Sequence, residues 1–329
     1  MSLQQTSSDV TKWKTRTGVL PKPIINHASD IPLKERDHLS PVDKFEYDRQ
    51  GSDPGRIIIF NQEFGDDSTL KREGSRRDVN EIILCFQRLG FNIFEEDVLV
   101  DKTEDEILGK LDSVIEDTES LKKINCLIIF FFTHGDTKNC LYVKGGTMNC
   151  SDIWVKFLNC PILQKKPKMV VFQACKGENF SLVDGKNVTS KNSSELLDMD
   201  SFSVTQLPNN MLILFSTTEG NMSYRHPVTG TWFIQELCRN FSMYGRRDDV
   251  ISLITRTMKC VCGNYYLQLE NEISAKQMPI FVSTLTKKFY LNRNKDRHLL
   301  LEINRKQDEL LELVREILEL SKQQKASKK

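Results

Sequence analysis

The sequence predicts an α/β fold: a six-stranded, mostly parallel sheet flanked by helices. Three observations predict it. Unbroken apolar runs recur at Ile57–Phe60, Cys126–Phe132, Met169–Phe172 and Met211–Phe215, as expected of strands buried on both faces. Segments of helical period separate them, the alternation that builds a covered parallel sheet. Two runs break abruptly into polar, glycine-containing loops, one carrying His134-Gly135 and the other Cys175-Lys176-Gly177. In open parallel sheets ligands bind outside the carboxyl ends of the strands, where both loops emerge.

Taken in order, residues 1–52 are polar, carry Pro21, Pro23, Pro32 and Pro41, and show no sustained period, so they are expected to be a disordered leader. Arg56–Phe60 is the first strand. Ser75 opens a helix whose apolar face is Val79, Ile82, Ile83, Phe86 and Leu89, closed by Gly90. A second strand is expected over Phe91–Phe94. Thr103 and Glu106 form a capping box ahead of Ile107, Leu108, Leu111, Val114 and Ile115. There follow the strand leading to His134, a hairpin around Gly145-Gly146, a helix near Asp152–Leu158 and the strand leading to Cys175. A fifth strand, helices over 231–243 and 248–261, and a last strand over Ile280–Leu285 complete the catalogue. From Ser181 to Ser203 the chain is rich in Ser, Asn, Asp and Lys without apolar period, a mobile, protease-accessible linker.

Composition narrows the functional classes. The net charge is +1 and 28% of residues are charged, so no global field recruits nucleic acid or an acidic membrane. Nine cysteines are scattered without paired spacing. They suit free thiols in a reducing, cytoplasmic setting, and no metal or cofactor is called for. The longest apolar run is far too short to span a membrane, and no signal-peptide pattern opens the chain.

A thiol and an imidazole delivered to one edge of one sheet suit nucleophilic catalysis. A buried structural cysteine and a loop histidine are the plainer alternative. Gly135 and Gly177, which permit close backbone approach, weigh toward the nucleophile.

Gln173-Ala174-Cys175-Lys176-Gly177 resembles the caspase signature. Lys176 stands where that pattern has Arg, Gln or Gly, and His134 is nearer to the cysteine than the usual roughly 50 residues. The likeness runs from about Arg56 to Leu291 and is strongest to the short-prodomain effector branch. It implies Cys175 as nucleophile, His134 as its acid–base partner, and backbone N–H groups of Cys175 and Gly135 as oxyanion donors. Arg72, in Arg-Glu-Gly-Ser, and Arg225, in Ser223-Tyr224-Arg225, match the family's pocket arginines. Read singly each is a surface charge; together with Gln173 and Ser223 they imply cleavage after aspartate, because arginine holds a carboxylate by a planar fork. Tyr224 and Trp232 match pocket aromatics, and the P4 preference stays open.

The likeness also implies a domain plan: a large subunit over 53–200 ending in the linker 178–205, a small subunit over 201–291, and zymogen activation by a cut after Asp184, Asp198 or Asp200. Protein substrates with aspartate at P1, a homodimer of large–small units, and other caspases or inhibitor proteins are the implied partners, with neither nucleic acid nor membrane. A catalytically weak caspase-fold regulator is the alternative. The family pattern leaves residues 292–329 unexplained. There Ile303, Leu310 and Ile317 recur at seven with Leu299, Leu313 and Leu320 between them, predicting an amphipathic helix. It packs on its own domain or serves a partner.

Overall fold

The computed structural model describes residues 45–49, 51–179, 181–182, 207–268 and 274–291, and positions 306, 307, 310, 313, 314 and 317. The leader before residue 45, Asp184, Asp198, Asp200 and most of the tail lie outside the described residues.

Six strands form the central sheet: β1 (Arg56–Asn61), β2 (Val98–Val100), β3 (Leu127–Phe132), β4 (Lys168–Gln173), β5 (Met211–Phe215) and β6 (Ile280–Ser283). Their spatial order is β6-β5-β4-β3-β1-β2. All pairings are parallel except β5–β6, which is antiparallel. Successive residues of β3 point to opposite faces. Ile128, Phe130 and Phe132 join one cluster while Leu127, Ile129 and Phe131 join the other. Helices α1 (Ser75–Arg88), α6 (Trp232–Tyr244) and α7 (Val250–Asn264) cover the first face. The second is covered by α2 (Glu104–Glu116), α3 (Thr118–Lys123), α4 (Ser151–Val155) and α5 (Pro161–Gln164). Each fully buried Phe or Ile in these layers contributes about 1.5–3 kcal/mol, which makes the sheet a rigid platform for the loops at its ends. The Thr103–Glu106 capping box is present at the start of α2.

Three expectations are corrected. Phe91–Phe94 is not a strand; the edge strand is Val98–Val100, after a turn of 3-10 helix at Glu95–Asp97. Phe91 is drawn into the core edge-on to Phe86, at 5.4 Å between centroids. Buried Asp97 then ties the chain to Arg56 at 2.8 Å and Lys110 at 2.9 Å, and only beyond it does the backbone reach β1. The helix expected over Asp152–Leu158 is the shorter α4, ending at Val155. Nor are the first residues expected in the linker free of backbone pairing. Asn179 bridges Asn221, and Ser181–Leu182 pairs antiparallel with Ala275 and Lys276, so backbone pairing overrides a polar sequence there.

In the tail, Leu310, Leu313, Val314 and Ile317 are helical and 45–62% exposed. No helix among the described residues is long and apolar enough to cross a membrane.

Candidate active site

The register of β3 and β4 places the two candidate catalytic groups side by side. Phe132 pairs with Gln173, and the Thr133 N–H donates to the Gln173 carbonyl at 3.1 Å. Two residues beyond that last rung stand His134 and Cys175. The loops pack so closely that a Cβ on Gly135 would lie 2.4 Å from the Cys175 carbonyl oxygen. Gly177, at φ 137°, packs on Gly220, where a Cβ would come within 2.6 Å of backbone. Glycine is required at both positions.

His134 is wedged between rings, stacked on Phe64 at 5.8 Å with Tyr142 edge-on at 6.4 Å. Its Nε2 lies 2.7 Å from the Leu70 carbonyl oxygen. A carbonyl only accepts, so Nε2 carries the proton and Nδ1 is left as the basic nitrogen. Burial, and then the Arg72 and Arg225 guanidiniums, hold the imidazole below the ordinary histidine pKa, against the opposing pull of the Leu70 carbonyl. It is therefore neutral near pH 7, as a base must be. Among the described residues the thiol bonds not to His134 but to Ser223, whose N–H donates to Sγ at 3.3 Å and whose carbonyl lies at 3.7 Å. Contacts between catalytic groups are often loose until substrate binds.

Beside the thiol lies a cationic pocket. Arg72 is buried at the start of the α1 loop, with Nη1 donating to the Gln62 carbonyl at 2.9 Å and Asn61 Oδ1 at 3.2 Å. Its Nε and Nη2 have no partner among the described residues. Burial, reinforced by neighbouring Arg225, pushes its pKa down to about 9. Arg225 enters from a two-stranded ribbon, Arg225–His226 paired with Gly230–Thr231, and its Nε donates to the Glu73 carbonyl at 2.9 Å. Gln173 Nε2 donates to Ser223 Oγ at 2.7 Å, and its buried Oε1 has no partner among the described residues. Two guanidiniums, one with two unused buried donors, make a socket for a small planar anion.

The peptidase C14 caspase domain matches residues 55–290. The chain belongs to the caspase family. It is 27% identical to caspase-7 of Gallus gallus over 254 residues, covering 75% of this chain and 80% of that one. It is 30% identical to caspase-1 of Drosophila melanogaster over 276 residues, covering 79% and 80%. Among solved structures, caspase-1 from Spodoptera frugiperda superposes with a TM-score of 0.63 at 26% identity, covering 76% of this chain and 94% of that one. The caspase family is one of cysteine proteases, and the fold is the caspase α/β sheet.

Around this caspase site the structure adds residues that sequence reasoning missed. Tyr224, Trp232 and Tyr265 form a continuous ring stack, at 4.6 and 5.3 Å between centroids. The Tyr265 hydroxyl donates to buried Glu236 at 2.9 Å. Gln277, wholly buried, accepts from the Tyr224 N–H at 2.8 Å and donates to the Ser216 carbonyl at 2.8 Å, clamping the segment that carries Ser223. Asp78 accepts from the Thr231 N–H at 2.9 Å and so anchors the Arg225 ribbon to α1; burial pushes its pKa up to about 6. No motif marks Gln277 or Asp78, since both act through a backbone distant in sequence. Lys176, the departure from the signature, is buried, pairs with Glu219 at 2.9 Å and reaches Asn139 Oδ1 at 2.5 Å. It ties the Cys175 loop to two neighbouring loops.

Proposed function

We propose that this caspase is an aspartate-directed cysteine endopeptidase acting in apoptosis. The observation that carries the reading is Arg72, buried beside Arg225 with Nε and Nη2 unpartnered among the described residues. An aspartate carboxylate supplies the two acceptors and the opposite charge, whereas a neutral side chain leaves the cost in place. Cys175 attacks the scissile carbonyl carbon; a C–S bond forms and the carbonyl π pair moves to oxygen, which the N–H groups of Cys175 and Gly135 hold. His134 takes the thiol proton through Nδ1 and passes it to the leaving amine; water then hydrolyses the thioester. Ser223 and Gln173 line the P1 pocket, with Tyr224 and Trp232 walling the subsites beyond.

The chain is made as a cytoplasmic zymogen, cut after Asp184, Asp198 or Asp200, and works as a dimer of large–small units. Among the described residues β6 is an edge strand of the sheet, with Ile280, Phe281 and Val282 partly exposed, and it offers a strand for a second copy. The exposed apolar positions of the tail helix serve association. Light scattering on Leu310→Asp plus Ile317→Asp should show altered assembly with peptide hydrolysis retained; unchanged mass would refute that role.

A second reading, a weakly active regulator, is favoured by one observation: the thiol is held by Ser223 rather than by His134. Fluorogenic peptides identical except for P1 Asp, Asn or Glu separate the two. Turnover confined to Asp, and lost in Cys175→Ala, supports the protease. No turnover by the linker-cleaved protein supports the regulator.

A further inference from the structure

At the amino ends of β4 and β5, on the edge of the sheet opposite Cys175, lies a cavity of about 820 Å³. That volume falls in the range of small-molecule sites, roughly 300–1,000 Å³. We propose that it binds a small polyphosphate. Its floor is a preformed polar network: Asn210 Oδ1 accepts from the Tyr47 hydroxyl at 2.7 Å and the Thr286 hydroxyl at 2.9 Å, and Asn210 Nδ2 donates to the Gln164 carbonyl at 2.7 Å. Among the described residues four lysines line it, Lys122, Lys165, Lys166 and Lys287, against one acid, Asp48.

The lysines are not equivalent. Lys166 is spent on the carboxyl end of α3, donating to the carbonyls of Leu121, Lys122 and Ile124 at 2.5–3.0 Å. Lys122 is shared with exposed Glu119 at 2.7 Å. Lys165 and Lys287 have no acidic partner among the described residues, so they face the cavity as uncommitted charges. Phosphate fits better than carboxylate. The catalytic edge meets its anion with arginine forks, whereas no arginine among the described residues lines this cavity. Ammonium groups act as point charges that meet phosphate oxygens from any direction.

The site bridges the chain. Lys122, Lys165 and Lys166 precede the linker, while Asn210, Thr286 and Lys287 follow it. A bound polyphosphate therefore joins the two halves at the end of the sheet remote from the catalytic loops, and holds them together once the linker is cut.

The test uses full-length Cys175→Ala protein, which keeps the linker intact, and does not depend on the proposed protease activity. Calorimetric titration with inorganic tripolyphosphate, and separately with ATP, at fixed ionic strength should give one saturable site and a raised Tm. Equal affinities would assign the recognition to the phosphate chain; tighter ATP binding would assign it to a nucleotide. Lys165→Glu plus Lys287→Glu should weaken binding at least about tenfold, since each 1.4 kcal/mol lost is tenfold, and abolish the Tm rise. Lys165→Gln plus Lys287→Gln should do the same more mildly and serves if the charge reversals fail to fold. No saturable binding, unchanged affinity in both double variants, or an equal Tm rise with sulfate would overturn the proposal.

Discussion

The two edges of the central sheet both collect cations, and they use them in opposite ways. At the carboxyl edge Arg72 is buried, and its Nε and Nη2 have no partner among the described residues. At the amino edge Lys122 and Lys165 stand in solvent around an open cavity. Burial makes the difference. A desolvated guanidinium with unused donors strongly favours a matching anion over any neutral group, whereas solvated ammonium groups attract anions broadly and are weakened by salt. The proposed selectivity for one side chain would rest on the first edge, and the proposed tolerance of related polyanions on the second.

That contrast can be broken most severely at the thiol. Cys175→Ala should abolish peptide hydrolysis while leaving Tm and tripolyphosphate binding intact; retained turnover, with contamination excluded, would remove the nucleophile from the carboxyl edge. His134→Ala should be nearly as damaging, because the pair acts as a unit and the losses do not add.

Next in size is the carboxylate socket. Arg225→Ala should lower kcat/KM on aspartate peptides by about 2–5 kcal/mol, as when one partner of a buried charge pair is removed. Arg72→Ala should match it and also lower Tm, because the Gln62 carbonyl and Asn61 Oδ1 lose their donor. Near-normal kinetics in either variant would mean that the guanidinium does not meet the P1 side chain.

A smaller effect sits behind the socket. Burial raises Asp78 from 3.8 to about 6, so the folded state holds a proton that the unfolded chain has released. Stability on this account is full below pH 3.8 and is lost as pH rises to about 6, at up to roughly 1.4 kcal/mol per pH unit. Asp78→Asn should flatten that slope in denaturant titrations at several pH values; an unchanged slope would show that Asp78 ionises normally.

The finest distinction is kinetic. With His134 held below the ordinary histidine value, the acid limb of kcat/KM should fall below pH 6.5, since protonation removes the base. Arg225→Ala, by removing one opposing charge, should move that limb upward. At the amino edge, Lys165→Gln should change stability by no more than about 0.5 kcal/mol without ligand, as for other exposed substitutions.

The sequence by itself determined the sheet and its chemistry. Unbroken runs such as Leu127–Phe132 have only one stable place, between two layers of helix. The abrupt ends of two such runs put His134 and Cys175 on one edge. It also marked the helices with strong local signals, as at Thr103 and Glu106. Where local signals competed with burial it misled: the apolar look of Phe91–Phe94 suggested a strand, but Phe91 was needed in the core and Asp97 chose where the backbone rejoined β1. Only the tertiary structure decided that Nε2 of His134 meets the Leu70 carbonyl, that Gln277 clamps Tyr224, that Asp78 anchors the Arg225 ribbon, and that lysines from both sides of the linker surround one cavity. These are contacts between residues far apart in sequence, set by packing geometry, and no periodicity or motif in a single chain records them.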